Sequence, residues 1–361
     1  MSDGTKIEWT DATWNPVTGC SVVSPGCTNC YAMNLAGTRL RKHPSREGLT
    51  IDTKAGPVWN GKVRFNEQWL SQPLQWKRPR MVFVCAHGDL FHEDVPDEWI
   101  HRVFAVMALC PQHTFQVLTK RSARMREYCD RGFGRLADVI MSMRTDKSCV
   151  GPLPHIRPGA SWWPLANVWL GVSAEDQKRA DERIPDLLST PAAVRFVSAE
   201  PLLDLIDLRS ISNGHWFCNA LTGARWHDAE GGATDKIERL DWVIAGGESG
   251  KSARPMHPDW ARSLRDQCTG SGVAFFFKQY GEWGPMKHTH AGFAEAGSLE
   301  RFTCVSSTDR TRVGTASWHA GRGEKLPVEI LEAVGKKTAG RLLDGREWND
   351  MPAPAGKAVA A

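Results

Sequence analysis

Three cysteines near the start of the chain have the residue type and the spacing to do chemistry. Cys20, Cys27 and Cys30 lie in the segment TGCSVVSPGCTNCY with the spacing C-x6-C-x2-C, and the glycines and the proline among them predict a loop. Thiolates this close in sequence usually bind a metal or form disulfides. Four thiolates would complete a zinc site, whereas three leave one position open. An iron–sulfur cluster that is held by three thiolates keeps one iron free for a further ligand.

A structural zinc site is the alternative for these cysteines, with a fourth ligand from elsewhere in the chain, such as His43 or Cys85. Zinc sites of this kind usually contain paired C-x2-C units, and the loop holds only one such unit, which favours the cluster. The chain has 10 cysteines in 361 residues, which is few for a disulfide scaffold. Those outside the loop are scattered singly, and in a reducing cytosol we expect them to be free thiols.

The composition restricts the class of protein but does not identify a function. The length is enough for one large α/β barrel or for two smaller domains, and 41% hydrophobic with 24% charged residues is ordinary for a globular protein. A formal charge of +4 permits a nucleic-acid partner but does not require one. No run of about 18 apolar residues predicts a membrane span, and the N-terminal segment lacks a signal-peptide pattern. We therefore expect a cytoplasmic protein with no membrane partner.

Seven short apolar runs alternate with helix-like stretches along the chain. Near-continuous apolar strands between helices are typical of a parallel sheet that is buried on both faces. Six to seven such units predict an α/β fold: a complete or partial β/α (TIM-like) barrel with loop insertions. The predicted strands are Ile7–Trp14, Met81–Cys85, Thr114–Leu118, Asn167–Val172, Val194–Ser198, Asp241–Ala245 and Val273–Lys278.

Segments that interrupt this alternation define the predicted domain organisation. The barrel is expected over residues 1–284, with insertions at about 132–165 and 210–239. An irregular insertion follows at 285–325, because long polar stretches without periodicity are typical of loops. A C-terminal helix within 326–352, placed at Val334–Leu343, is expected to pack on the barrel. The tail 353–361 is expected to be disordered.

Polar side chains follow almost every predicted strand. In β/α barrels the chemistry gathers at the C-terminal ends of the strands, so these side chains are the candidate site residues. They are Asp89 after the second strand, Ser173 after the fourth, Glu200 after the fifth, Gly246, Gly247 and Glu248 after the sixth, and Lys278 at the end of the seventh.

Eight motifs, taken in order, resemble the phage-encoded three-cysteine proteins of the radical S-adenosylmethionine (radical SAM) superfamily. The motifs run from about residue 6 to residue 352: TWNPVTGCSVVSPGCTNCYA, VFVCAHGDLF, VLTKR, NVWLGVSAEDQ, RFVSAEPLL, DWVIAGGESG, FFFKQYGEW and GKKTAGRLLDGREWNDMP. The resemblance implies a 4Fe–4S cluster on Cys20, Cys27 and Cys30, with S-adenosylmethionine on the free iron. Reductive cleavage of that cofactor would give a 5′-deoxyadenosyl radical, which abstracts hydrogen from the substrate.

Two features depart from the common superfamily pattern. The usual spacing is C-x3-C-x2-C with an aromatic residue before the last cysteine, whereas here the first gap is longer and Tyr31 follows the last cysteine. The superfamily also carries Gly-Gly-Glu after the second strand, where it contacts the methionine amine. This chain has Gly88-Asp89 there and carries its Gly-Gly-Glu after the sixth strand instead. The amine-binding role therefore passes to Asp89 by position alone.

The resemblance also implies a substrate and partners. A phage setting suggests DNA as substrate, with rearrangement (isomerisation) of an amino-acid adduct on a modified thymidine as the specific expectation, and a base in a duplex must be flipped out to be reached. Glu200, Glu248 and Lys278 are then candidate catalytic residues, and Asp89, Ser173, Gly246 and Gly247 are candidate cofactor-binding residues. A low-potential donor such as flavodoxin or ferredoxin would supply electrons. The alternatives are a structural metal-binding nucleic-acid protein, and another radical SAM reaction on nucleic acid, such as photoproduct repair or methylthiolation.

Overall fold

A seven-stranded parallel sheet forms the centre of the protein. The structure, a computed structural model, describes residues 4–131, 133–145, 163–227, 235–285, 302–306 and 328–353. The strands follow one another in sequence order and the sheet curls into a half-barrel, with β1 and β7 at its two edges. The strands are Ala12–Trp14 (β1), Met81–Val84 (β2), Thr114–Thr119 (β3), Val168–Ser173 (β4), Val194–Ala199 (β5), Trp242–Gly246 (β6) and Ala274–Gln279 (β7). This confirms the predicted partial β/α barrel.

Residues along each strand alternate between two apolar surfaces. In β4, Val168, Leu170 and Val172 belong to the large core that the sheet shares with the helices, whereas Trp169 belongs to a second cluster on the concave inner face. Because both faces are buried, the strand reads as a continuous apolar run instead of an alternating one.

Aromatic side chains fill the base of the half-barrel on its inner face. Trp242 is fully buried at the centre of this group, with its ring centroid 5.7 Å from that of Phe196 and 5.9 Å from that of Trp169. Gly171 makes room for the Phe196 ring, since a Cβ at that position would lie 2.6 Å from three ring carbons. The aromatic members of the cluster are Trp9, Phe83, Trp169, Phe196, Trp242 and Phe276. With the base closed, open space on the inner face is left toward the C-terminal ends of the strands.

Helices cover the outer face of the sheet. The longer ones lie in the connections between strands, and Asp176 caps the helix after β4 by accepting a hydrogen bond from the Arg179 backbone N–H at 2.9 Å. The α-helices are Tyr31–Gly37 (α1), Glu67–Leu70 (α2), Asp97–Leu109 (α3), Ser122–Arg131 (α4), Phe133–Thr145 (α5), Gln177–Ser189 (α6), Pro258–Ser271 (α7) and Lys336–Ala339 (α8), with short 3₁₀ turns at Pro25–Cys27 and Gln72–Gln75.

Four smaller sheets lie outside the main one. Two are antiparallel pairs in the segment between β1 and β2, formed by Val17–Thr18 with Arg64–Phe65 and by Thr50–Thr53 with Gly56–Trp59. The segment between β5 and β6 folds into a meander of Ile211–Ser212, Phe217–Asn219, Ala224–Trp226 and Asp235–Lys236. The last sheet follows β7 and pairs Trp283–Pro285 and Phe302–Ser306 with Val328–Ala333.

The first strand is shorter than the predicted Ile7–Trp14. The Thr10 backbone N–H donates to the Ile7 carbonyl at 3.4 Å, which turns the chain before the strand begins. This turn places Trp9 in the inner-face aromatic cluster, so its apolar character reflects burial and not strand pairing.

The C-terminal region differs from the predicted helix Val334–Leu343. The helix there is only Lys336–Ala339, because Gly335 and Gly340 at its two ends adopt positive φ values of 79° and 73°. The chain then returns to the edge of β7, where the Phe277 N–H donates to the Trp348 carbonyl at 2.9 Å. Residues 346–350 therefore protect part of an otherwise unpaired sheet edge.

Parts of the predicted insertions lie outside the described residues. These are residues 146–162, 228–234, 286–301 and 307–327, together with the tail 354–361. None of the helices in the described ranges combines the length and the apolar character that a membrane crossing requires.

Candidate functional site

A cavity of about 270 Å³ lies at the C-terminal ends of the strands, above the aromatic base. Nearly all of the candidate residues from the sequence line it, although they come from distant parts of the chain: Cys20, Cys27, Cys30, Asp89, Ser173, Glu200, Gly247, Glu248 and Lys278. Gly246 is not among the lining residues but lies behind Glu200, where a Cβ would be 2.6 Å from the Glu200 Oε1. The structure thus brings the predicted strand-end groups and the three cysteines to one place.

The cysteine loop, residues 19–30, follows directly after the short strand Val17–Thr18, which comes after β1 in the chain. Its first residue is fastened to the end of β2, because the Gly19 N–H donates to the His87 carbonyl at 3.2 Å. Gly19 has a φ of 96°, and a Cβ there would overlap the Lys62 carbonyl oxygen, so glycine is required. The 3₁₀ turn at Pro25–Cys27 folds the long first gap back, and Cys30 immediately precedes α1.

Arg121, which follows β3, reaches the first thiol of the loop. Its Nη1 donates to the Cys20 Sγ at 3.3 Å and to the Asp89 Oδ2 at 3.1 Å, while its Nη2 donates to the Ser21 Oγ at 2.6 Å. Asp89 also accepts hydrogen bonds from the Thr119 hydroxyl and the Lys120 N–H. The Asp89 carboxylate is therefore fully engaged within the chain, as the anchor of Arg121.

Glu175, which follows β4, holds the middle of the loop. It is completely buried, accepts a hydrogen bond from the Gly26 N–H at 3.1 Å, and receives the Arg183 Nη1 from α6 at 3.0 Å. Burial alone would raise the pKa of Glu175, but Lys120, Arg183 and the hydrogen bonds from the loop together lower it. The carboxylate thus stays ionised and paired in a site without water access.

Glu248, which follows β6, holds the far side of the loop. It accepts a hydrogen bond from the Asn29 Nδ2 at 2.9 Å and forms a two-point ion pair with Arg254 at 2.6 and 2.9 Å. Arg254 in turn donates to the Pro25 carbonyl at 2.9 Å. Burial opposes ionisation of Glu248, yet the bonds from Arg254 and Asn29 lower its pKa below the ordinary value.

A second kind of ion pair faces the cavity without touching the loop. The Lys278 Nζ lies 3.1 Å from the Glu200 Oε1, and the Ser198 hydroxyl lies 3.3 Å from the Glu200 Oε2. Both charged side chains keep part of their surface open to the cavity, at 19% for Lys278 and 13% for Glu200. These two residues are therefore placed to contact a bound molecule.

The three thiols differ in their surroundings. Burial and then Asp89 raise the pKa of the Cys20 thiol and Arg121 lowers it, so that the net pKa is about 12. Cys27 lies 3.8 Å from the Ser24 hydroxyl. All three are free cysteines, and Cys85 is a fourth cysteine on the cavity wall. Among the described residues, no three His, Cys, Asp or Glu side chains are grouped so as to hold a metal ion.

Several residues that sequence reasoning did not select have parts in this site. The side chain of Arg121 is buried at the cysteine loop. Glu175, Asn29 and Arg254 also hold the loop, and nothing in their local sequence indicates these contacts. His87 lies behind the loop, where its Nδ1 is 2.8 Å from the Nη2 of buried Arg46, and burial and Arg46 together lower the pKa of His87 to about 4.

The fold and the site define a parallel α/β half-barrel protein with a three-cysteine loop over a strand-end cavity. The chain matches the family described as "Protein of unknown function (DUF5131)" over residues 4–352, and it belongs to that family. No curated protein matches the chain, and no solved structure does.

Proposed function

We propose that this protein is a radical SAM enzyme, in which Cys20, Cys27 and Cys30 hold a 4Fe–4S cluster and S-adenosylmethionine binds beside it. The observation that carries the proposal is that all three thiols of one loop line a single cavity at the C-terminal ends of parallel strands. This is where β/α barrels perform chemistry. Three thiolates and several polar strand-end groups that line the same cavity fit a cluster that leaves one iron for a ligand.

The residues present fit such a cluster in two respects. The donor set is three cysteines, and a cationic N–H from Arg121 already points at one of the sulfurs. The loop that carries the thiols is also held by three buried carboxylates, Glu175 at Gly26, Glu248 at Asn29, and Asp89 through Arg121. When bound, the cluster and S-adenosylmethionine would supply reductive sulfonium cleavage and a carbon radical.

The chain's own contribution is to bind, orient and exclude water. The aromatic base formed by Trp9 and Phe83 closes the inner end of the cavity and keeps it apolar. The Glu200–Lys278 pair and the Ser173 hydroxyl offer the polar contacts on the opposite wall. Because Glu200 and Lys278 keep part of their charged surface open to the cavity, they can orient a charged or polar group of a bound molecule.

For the substrate we propose a modified base in phage DNA, and for the reaction an isomerisation of an amino-acid adduct on a thymidine. This rests on the motif resemblance, and a flipped base is small enough to enter a strand-end cavity. A flavodoxin- or ferredoxin-type donor would supply the electron, and the setting would be the host cytoplasm. The alternative is a different reaction on nucleic acid that uses the same cofactors, namely photoproduct repair or methylthiolation.

Anaerobic reconstitution with iron and sulfide tests the proposal. We expect a brown protein with about four irons per chain, which forms 5′-deoxyadenosine from S-adenosylmethionine when dithionite is added. Cys27→Ala should abolish both iron retention and cofactor cleavage. Cys268→Ala, which removes a buried thiol of α7 away from the cavity, is the matched control and should retain both. Cleavage that persists in Cys27→Ala would contradict the assignment.

A structural metal site is the second candidate, and the position of Cys85 on the cavity wall is the observation that favours it. In that case four thiolates would surround one zinc ion, and the protein would be a metal-binding nucleic-acid protein. Cys85→Ala separates the two candidates within the same experiment. The radical SAM proposal expects iron to be retained in Cys85→Ala, whereas a four-cysteine zinc site expects a colourless protein whose metal is lost in this variant.

A further inference from the structure

The three thiols of the cysteine loop are not equivalent, because within the part of the chain that the structure describes Cys20 alone receives a hydrogen bond from a cationic side chain. The Arg121 Nη1 lies 3.3 Å from the Cys20 Sγ. Cys27 instead lies 3.8 Å from the neutral Ser24 hydroxyl. A guanidinium N–H is a charge-assisted donor, which stabilises a negative sulfur more strongly than a hydroxyl does.

The position of Arg121 is fixed by the surrounding acids. Its side chain is only 6% exposed, and its three nitrogens are divided among Asp89, Glu93, Ser21 and Cys20. A lysine could not replace this arrangement, because its ammonium is a single point and cannot make a planar fork to several partners. The fold therefore fixes the orientation of the Arg121 guanidinium toward Cys20.

The other two arginines of the site hold the loop without touching a sulfur. Arg254 donates to the Pro25 carbonyl, and Arg183 acts through Glu175 on the Gly26 N–H. All three are paired with a buried or half-buried carboxylate, so they differ from one another mainly in what they contact on the loop.

We propose that Arg121 is a positioning residue that fixes Cys20 and raises the reduction potential of the cluster bound there. The inference rests on the proposed cluster and deepens it. Reduction adds one electron to the cluster, from the flavodoxin- or ferredoxin-type donor or from dithionite in the test, and no bond forms or breaks. Because the reduced cluster carries more negative charge on its sulfurs, a cationic N–H donor stabilises it more than the oxidised form.

The experiment measures the midpoint potential of the reconstituted cluster by redox titration followed by electron paramagnetic resonance, with iron content determined in parallel. Arg121→Gln should shift the midpoint to a more negative value, and Arg121→Lys should shift it less in the same direction. Arg131→Gln is the control, since it removes an exposed arginine of α4 that pairs with Glu127 outside the cysteine loop, and its midpoint should stay at the wild-type value.

A double variant separates the hydrogen bond from simple charge. Asp89→Asn with Arg121→Gln leaves the local net charge as it is in the wild type but removes the donor to Cys20. We expect the negative shift to persist in it. Variants that retain their iron and keep the wild-type midpoint would overturn the role of Arg121 while the proposed function stands. A wild-type protein that binds no iron would instead defeat the proposed function itself.

Discussion

Carboxylates that follow the strands perform two different tasks in this cavity. Asp89, Glu175 and Glu248 are saturated by donors from the chain and hold the cysteine loop. Among the described residues, Glu200 is paired with Lys278 and Ser198 and stays open toward the cavity. A group that is already saturated has to break internal bonds before it can bind a ligand, which costs free energy. Glu200 and Lys278 are thus better placed than Glu248 to contact a bound molecule.

Gly247 lies on the cavity wall at a position where the chain packs too closely for a larger residue. A Cβ at this position would overlap the backbone carbonyl oxygen of Tyr280, and that backbone cannot move as a side-chain end could. We expect Gly247→Ala to lower the free energy of unfolding by about 2 kcal/mol or more, measured by urea denaturation.

Gly270 in α7 provides the matched control, because nothing lies within 4 Å of a Cβ built there. Alanine is a better helix former than glycine, so Gly270→Ala should be neutral or stabilising by up to about 1 kcal/mol. Equal stabilities of the two alanine variants would show that the close approach of Gly247 to Tyr280 is absent.

Strand-end residues could be located from the sequence, but their partners could not. Each strand is a buried apolar run, so the polar residue that ends it is visible without a structure. The bond from Asn29 to Glu248 joins residues 219 positions apart, and nothing local in either segment indicates it. The basic residues after β3 illustrate the same limit. Basic residues at the start of a helix are usually solvated, whereas Arg121 is buried because it pairs with Asp89.

At the scale of elements, the cysteine loop is held by the ends of other strands rather than by its own secondary structure. Its regular part is one 3₁₀ turn, and its fixed points are donated from the ends of β2, β3, β4 and β6. The short β1 could not be delimited from sequence for a related reason, since Trp9 is apolar on account of the inner-face cluster. Gly335 and Gly340 similarly limit α8, where the basic periodic segment alone indicated a longer helix.

Acid sensitivity follows from the carboxylates that hold this loop. The folded-state pKa values of Glu175 and Glu248 are lowered, so their contribution to stability is complete above the ordinary glutamate pKa, about 4.3, and is lost as the pH falls through the lower folded-state values. We expect the thermal unfolding midpoint to be nearly flat from about pH 8 to pH 5 with respect to these groups and to fall in stronger acid.

Glu175→Gln should make that acid limb less steep, because one proton fewer is taken up on unfolding. Glu98→Gln, at an exposed position in α3, should leave the slope unchanged and is the control. Acid limbs of equal slope in wild type and Glu175→Gln would contradict the lowered pKa of this buried group.

At the scale of the molecule, the half-barrel leaves its two edge strands apart, and the C-terminal segment protects one of them. The Asp350 N–H donates to the Phe275 carbonyl at 3.1 Å, and the Trp242 indole donates to the Asp350 carbonyl at 2.9 Å. The segment therefore links the edge of the sheet to the centre of the aromatic base. Sequence analysis placed a helix in this region, because the contacts that decide its path lie about 70 to 110 residues earlier.

Removal of this segment tests its role in the whole fold. A chain that ends at Gly345 loses the bonds from Phe277, Trp242 and Asp350, and at about 1 kcal/mol for each bond it should be less stable by about 3 kcal/mol. A chain that ends at Ala353 retains those contacts and is the control. Calorimetry of the two truncated proteins measures the difference, and identical unfolding midpoints would rule out a stabilising role for residues 346–353.

The order in which the ribosome makes this chain conflicts with the order in which its cysteine loop becomes fixed. The thiols are among the first residues to emerge, but the last support of their loop, Arg254, is synthesised more than 200 residues later. At elongation rates of about 5–20 residues per second that interval lasts on the order of ten seconds or longer. During it the nascent thiols lack their final geometry and are exposed to stray metals and oxidants. Any group that binds the three thiols, such as the proposed cluster, would therefore meet them in their final geometry only after translation has passed Arg254.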